Sequence, residues 1–150
     1  MMNSGQMMAR HQKLEPVIKI KQRREQQAGQ QLQKTSSQRQ HHMQLLDQLT
    51  GYRSEYLQRM DRVLKQGVGV EQLSGYRSML AELDAALEQE QVALQWAEND
   101  WQQAREVWQQ ARAQVELIAG LSQQYLRRGQ QLDDHTEQER QEEIHRNQSY

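Results

Sequence analysis

From Tyr76 onward the apolar residues recur at alternating steps of four and three. They are Tyr76, Leu80, Leu83, Leu87, Leu94, Ala97, Trp101, Ala104, Trp108, Ala111, Val115, Ile118, Tyr125 and Leu132, with Glu90, Ser122 and Gly129 interrupting the row. A repeat of 3.5 residues keeps one narrow apolar seam facing a partner helix and imposes a left-handed supercoil. The spacing predicts one helix over residues 71–134; at about 1.5 Å per residue, sixty such residues span roughly 90 Å. The first half is less regular. Leu45, Leu46, Leu49, Tyr52, Tyr56, Met60 and Val63 form a stripe, which thins upstream to Leu14, Val17, Ile18, Ala28 and Leu32. It predicts a first helix over 14–66, with Pro16 in its first turn, where a missing N–H costs nothing. Residues 1–13 are expected to be a flexible segment, 67–70 a loop and 135–150 a polar tail. Glycine in "QGVGV" supplies the left-handed backbone that ends a helix. Whether "VEQLS" belongs to the loop or precedes a helix capped by Ser74 is open at this level.

Composition leaves disorder or a thin seam between long helices, and the heptad row points to the second, an all-α fold. Only 35% of the chain is hydrophobic, phenylalanine is absent and mean hydropathy is −1.10. Glutamine takes 30 of the 150 positions, too many to leave a thick core. A seam between two long helices needs only about two apolar residues in seven. Charge then sets the topology. Residues 1–66 carry 12 Lys or Arg against 5 Asp or Glu, and residues 71–150 carry 7 against 15. Halves of opposite sign joined by a short glycine loop should fold back into a long two-stranded antiparallel coiled-coil hairpin. With the turn near residue 68, facing positions sum to about 136. That sets Trp108 against Ala28 and Gly29, Trp101 against Thr35 and Ser36, Tyr52 near Leu83 and Tyr76 near Met60. The expected seam therefore comprises Leu46, Leu49, Tyr52, Tyr56, Met60, Tyr76, Leu80, Leu87, Leu94, Trp101, Trp108, Val115 and Ile118.

The order of these elements resembles a known family. A helix opens with "LEPVIKIKQRREQQAGQQL" and reaches "YRSEY" before a glycine loop. A second helix follows with "YRSMLAELDAALEQE", an Ala104-to-Trp108 step and a polar tail bearing "LDD". The series is similar to the flagellar FliJ family, coiled-coil components of bacterial type III export, over about Leu14 to Asp134. The resemblance implies a non-enzymatic hairpin similar to the central stalk of rotary ATPases. Its implied partners are a hexameric flagellar export ATPase, the cytoplasmic part of the export gate protein and export chaperones. The positions matching the family's gate-binding stretch are Met79, Leu83, Ala86 and Glu90; Glu90 departs from the neutral or histidine-like side chain that would match better. The resemblance implies a cytoplasmic protein, peripherally associated with the inner membrane at the flagellar base. Read from residues alone, Met79 and Ala86 flank the seam, and they form either an exposed strip or a wider core near the loop.

Other chemistry finds little support. The basic run "KIKQRR" could meet phosphates, but no aromatics are interleaved with it for base stacking, so nucleic acid is not the expected partner. His41 and His42 are adjacent and point to different sides of a helix, which makes a poor metal pair. No phosphate loop, nucleophile elbow or His-Glu-x-x-His occurs, so no catalytic residue, cofactor or metal site is expected. No apolar run is long enough for a membrane span, and "MMNSGQMMARHQKLEP" lacks the apolar core of a signal peptide. The opposed charges favour a chain that is monomeric alone. The equivalent stalk of a virulence type III system, or a generic coiled-coil scaffold or nucleic-acid-associated hairpin, are the alternatives.

Overall fold

The computed structural model describes residues 1–67 and 69–149. It is an all-α hairpin of two helices packed against each other, α1 Ser4–Lys65 (62 residues) and α2 Val70–Gln148 (79 residues), with no strand among the described residues. The turn ends α1 by the expected means. Gln66 N–H donates to Val63 O (3.2 Å), Gly67 N–H donates to Leu64 O (3.3 Å), and Gly67 takes φ +83°. Only glycine adopts that backbone without a Cβ clash. Val68, at the predicted turn centre, and Tyr150, the last residue of the tail, lie outside the described residues.

Both helices begin earlier than the hydrophobic pattern indicates. Helix α1 starts at Ser4, behind a capping box, and so takes in most of residues 1–13. Gln6 N–H donates to Asn3 Oδ1 (2.8 Å), while Asn3 N–H donates to Gln6 Oε1 (3.1 Å). Two otherwise orphaned donors are thereby satisfied reciprocally. Pro16 consequently sits inside the helix, on its exposed outer side. The second helix starts at Val70, with Gly69 O accepting from Leu73 N–H (3.2 Å), so Ser74 lies within the helix rather than capping it. The polar tail is helical to Gln148 and exposed throughout.

The chain divides into two compact units. The first comprises residues 1–29 and 107–150. Its inward row on α1 is Ser4, Met7, His11, Leu14, Ile18, Lys21, Glu25 and Ala28, each buried or half-buried at steps of three and four. The facing row on α2 is Trp108, Ala111, Val115, Ile118, Ser122, Tyr125 and Gly129. Two residues that break the apolar pattern in sequence are here the closest-packed. Ser122 is 2% exposed, with its Oγ 2.8 Å from His11 Nδ1, which also lies 3.1 Å from Ser122 O. Gly129 is buried beneath Met7 and Met8, and a Cβ there would come within 3.1 Å of Met8 Sδ. Serine and glycine serve as the holes that His11 and the methionines fill. Trp108 lies against Gly29, whose Cβ position is 3.5 Å from its Nε1.

The second unit comprises residues 30–106. Its α1 row is Leu32, Thr35, Arg39, His42, Leu46, Leu49, Arg53, Tyr56, Met60 and Val63. On α2 the row runs Leu73, Tyr76, Leu80, Leu83, Leu87, Glu90, Leu94, Ala97, Trp101 and Ala104. Thr35 can be 3% exposed because its hydroxyl donates back to Leu32 O (2.9 Å) and Gln31 O (3.0 Å). Arg39 packs its guanidinium 4.7 Å from the Trp101 ring centre and pairs with Glu98 at 3.5 Å, too long for a directed hydrogen bond from its buried Nε. One seam assignment fails. Tyr52 is 58% exposed, and the row passes through Arg53 instead, whose Nε donates to Asp84 Oδ1 at 2.6 Å. Leu49 and Tyr56 set the phase, so the row falls on residue 53, where a long arginine lays its stem and reaches a carboxylate at the rim. Tyr76 meets Tyr56, with ring centres 5.2 Å apart.

Candidate functional site

A two-helix seam leaves two flanks, and within each unit they differ in chemistry. In the first of each unit's flanks, residues that follow the inward row carry the ionic and close-packing contacts. These are Arg39 to Glu98 and Arg53 to Asp84 in the second unit, and Met8 over Gly129 in the first. On the other flank lie the residues that precede the row. In the second unit these include Leu45, Tyr52, Met79, Ala86 and Ala93, with Trp96 one step further out. Met79 is 42% exposed, Ala86 and Ala93 are half-buried, and Trp96 is exposed. Beside the turn this flank opens into a shallow groove of about 870 Å³, bounded by Tyr56, Val63, Gly75, Tyr76, Met79 and Glu82. The groove is shallow and open to solvent.

The four residues matched to gate binding do not form one exposed strip. Met79 borders the groove, Leu83 lies in the inward row, and Ala86 is half-buried on the flank. Glu90 is turned inward: its side chain is 15% exposed and Oε1 lies 2.5 Å from Nδ1 of His42, itself 30% exposed. A carboxylate so placed would leave an unpaired polar group in the seam, and the imidazole supplies its partner. Sequence reasoning saw Glu90 as an interruption because His42 lies 48 residues away; only the register brings the two together. Trp96 and Val92, both exposed on α2, were absent from the candidate residues. Their signal was available as apolar side chains out of phase with the heptad row. No group of three or more His, Asp or Glu among the described residues could hold a metal ion. No helix among them is long and apolar enough to cross a membrane.

These features define a class: an all-α helical hairpin of two long helices packed against each other. Comparison with known proteins makes the class specific. The chain matches the family described as "Flagellar FliJ protein" over residues 10–149, nearly its full length. It belongs to the FliJ family, a family of non-catalytic components of flagellar type III export. No curated protein and no solved structure matches the chain.

Proposed function

We propose that this chain is the stalk of the flagellar export apparatus. Its two terminal segments, residues 10–35 and 110–140, enter the hexameric export ATPase, and its loop end contacts the cytoplasmic part of the export gate. Asymmetric contacts of a two-helix stalk with six subunits bias ring assembly and couple ATP turnover to the gate. The chain also escorts export chaperones, and it works in the cytoplasm at the inner face of the membrane beneath the flagellum.

The observation that carries the gate contact is the flank around Met79. An exposed methionine beside an aromatic groove suits an apolar segment of a partner, since methionine adapts its shape to what it meets. In this reading Met79 and Ala86 touch the gate and Leu83 supports them from the seam. Glu90 acts through His42, by fixing the helix that presents the other three. Two titrations test the proposal. Adding the chain to the cognate ATPase should raise hexamer formation and hydrolysis, and an unchanged rate refutes stalk docking. Met79→Glu should weaken binding to the gate's cytoplasmic domain at least about tenfold while leaving ATPase stimulation intact. Gate binding that survives this change, or a deletion strain that swims normally, overturns the assignment.

A further inference from the structure

The first unit carries an apolar patch on one flank of its seam. Val17 and Ile20 on α1 and Leu117 and Leu121 on α2 occupy the same flank of the seam, the one whose contacts are Arg10 to Tyr125 and Lys21 to Gln114. Ile20 is 51% and Leu117 72% exposed, while Val17 is half-buried at the patch's inner edge. Isolated exposed leucines need no explanation, but four aliphatic residues from two helices on one flank do.

The charge along the rows that carry the patch is of one sign. Along the two rows that border the seam on this flank, from Arg10 to Gln27 and from Val107 to Arg128, the ionisable residues are Arg10, Lys13, Arg24 and Arg128. No Asp or Glu falls in those rows. Of the nearby carboxylates, Glu25 lies half-buried in the inward row, and Glu15 and Glu116 lie on the other flank beside His11 (3.6 Å) and Arg112 (3.2 Å) of their own helices.

We propose that this flank docks an amphipathic helix with an aliphatic stripe and acidic edges, supplied by another protein. Laid alongside the pair, such a helix would cover the four apolar side chains and set its carboxylates against the basic rim, as helix-in-groove recognition does. A second copy of the chain fits poorly, because it would bring two sets of four cations together. An anionic membrane would meet the same apolar and basic chemistry, and the vesicle measurement below separates it from a helix. The patch lies within the segments proposed to enter the export ATPase, so the helix docks on this flank while the chain is outside the ring, and the peptide measurement, made without the ATPase, does not depend on that reading.

The test uses the full chain and a fluorescent 21-residue peptide with leucine at i, i+4, i+7, i+11 and i+14 and glutamate flanking. Binding is read by anisotropy in physiological salt. The peptide should bind in the micromolar range and its lysine-for-glutamate counterpart at least about tenfold more weakly. Ile20→Ser with Leu117→Ser should weaken binding at least about tenfold at unchanged helical content, since both side chains are exposed. Lys13→Glu with Arg24→Glu should weaken it too and flatten its salt dependence. Equal binding of both peptides, or binding indifferent to the patch substitutions, overturns the proposal. So does sedimentation of the chain with phosphatidylglycerol vesicles in place of peptide binding, or a concentration-dependent dimer that Leu117→Ser dissolves.

Discussion

Replacing the His42–Glu90 pair by leucines should make the protein more stable. The pair lies in the inward rows of the second unit, next to Leu46 on α1 and between Leu87 and Leu94 on α2, with a contact of 2.5 Å and side chains 30% and 15% exposed. A hydrogen bond to a charged group contributes about 1.5–3 kcal/mol net, and the partial exposure of both partners discounts this to roughly 1–2 kcal/mol. Two leucines at the same positions would bury apolar surface instead. Exchanging a desolvated polar pair for packed aliphatic residues is commonly neutral to stabilising, by about 1–4 kcal/mol. Glu90→Ala alone should cost about 2 kcal/mol, because it removes packing as well as the partner of His42. His42→Leu/Glu90→Leu should therefore gain about 1–3 kcal/mol over the parent, or roughly 3–10 °C in Tm for a chain of this size. Urea unfolding of the parent, His42→Leu, Glu90→Leu and the double variant, followed by circular dichroism at 222 nm, closes the cycle. A coupling energy indistinguishable from zero would mean that the contact is incidental. A double variant less stable than the parent would show that the polar layer holds the seam together, and would refute the reasoning.

Other substitutions probe the packing. Gly29→Ala should stabilise by up to about 1 kcal/mol, since its Cβ meets Trp108 at an ordinary 3.5 Å; Gly129→Ala should gain less or lose, because Met8 at 3.1 Å must move. Denaturant midpoints of the two variants compare them directly. Asn3→Ala should cost about 1 kcal/mol locally and speed amide exchange in the first turn of α1 by several-fold, with exchange around the turn unchanged. Trp108→Ala in the seam should cost about 3 kcal/mol, whereas Trp96→Ala on the surface should stay within about 0.5 kcal/mol. Thermal melts of the pair that show equal losses would place Trp96 in a packed environment.

The second helix was legible because its own residues spell the heptad; the first was legible only in part because its heptad is written by its partner. Lys21, Glu25, Arg39 and Arg53 occupy the inward row of α1 yet read as surface residues. Arg53 and Arg39 keep their places through Asp84, Glu98 and Trp101, which are distant in sequence. Tyr52 misled for the converse reason: it is apolar enough to suit a seam but stands one step out of phase. The start of α1 was hidden by the search for apolar residues, since "NSGQ" announces a helix by hydrogen bonding alone. At the candidate site, Met79 and Ala86 stood out as lying beside the stripe, while the engagement of Glu90 depended on where His42 falls across the seam. Both limits follow from a pattern that records what each position is made of but not what it meets.

The hairpin's single turn sets the order in which the molecule can assemble. Tyr56 and Tyr76 are 20 residues apart in sequence, His42 and Glu90 48, His11 and Ser122 111, and Ser4 and Asp133 129. Closing a loop of n residues costs about (3/2)RT ln n, so contacts beside the turn form for the least entropy, and each one formed shortens the loop that the next must close. The chain should therefore zip from Gly67 outward, with the residues around Ser4 and Asp133 the last to join and the first to open. The helix ends that carry the chain termini are in this sense the molecule's most labile part, held by the capping box at Asn3 and by two methionines over a glycine.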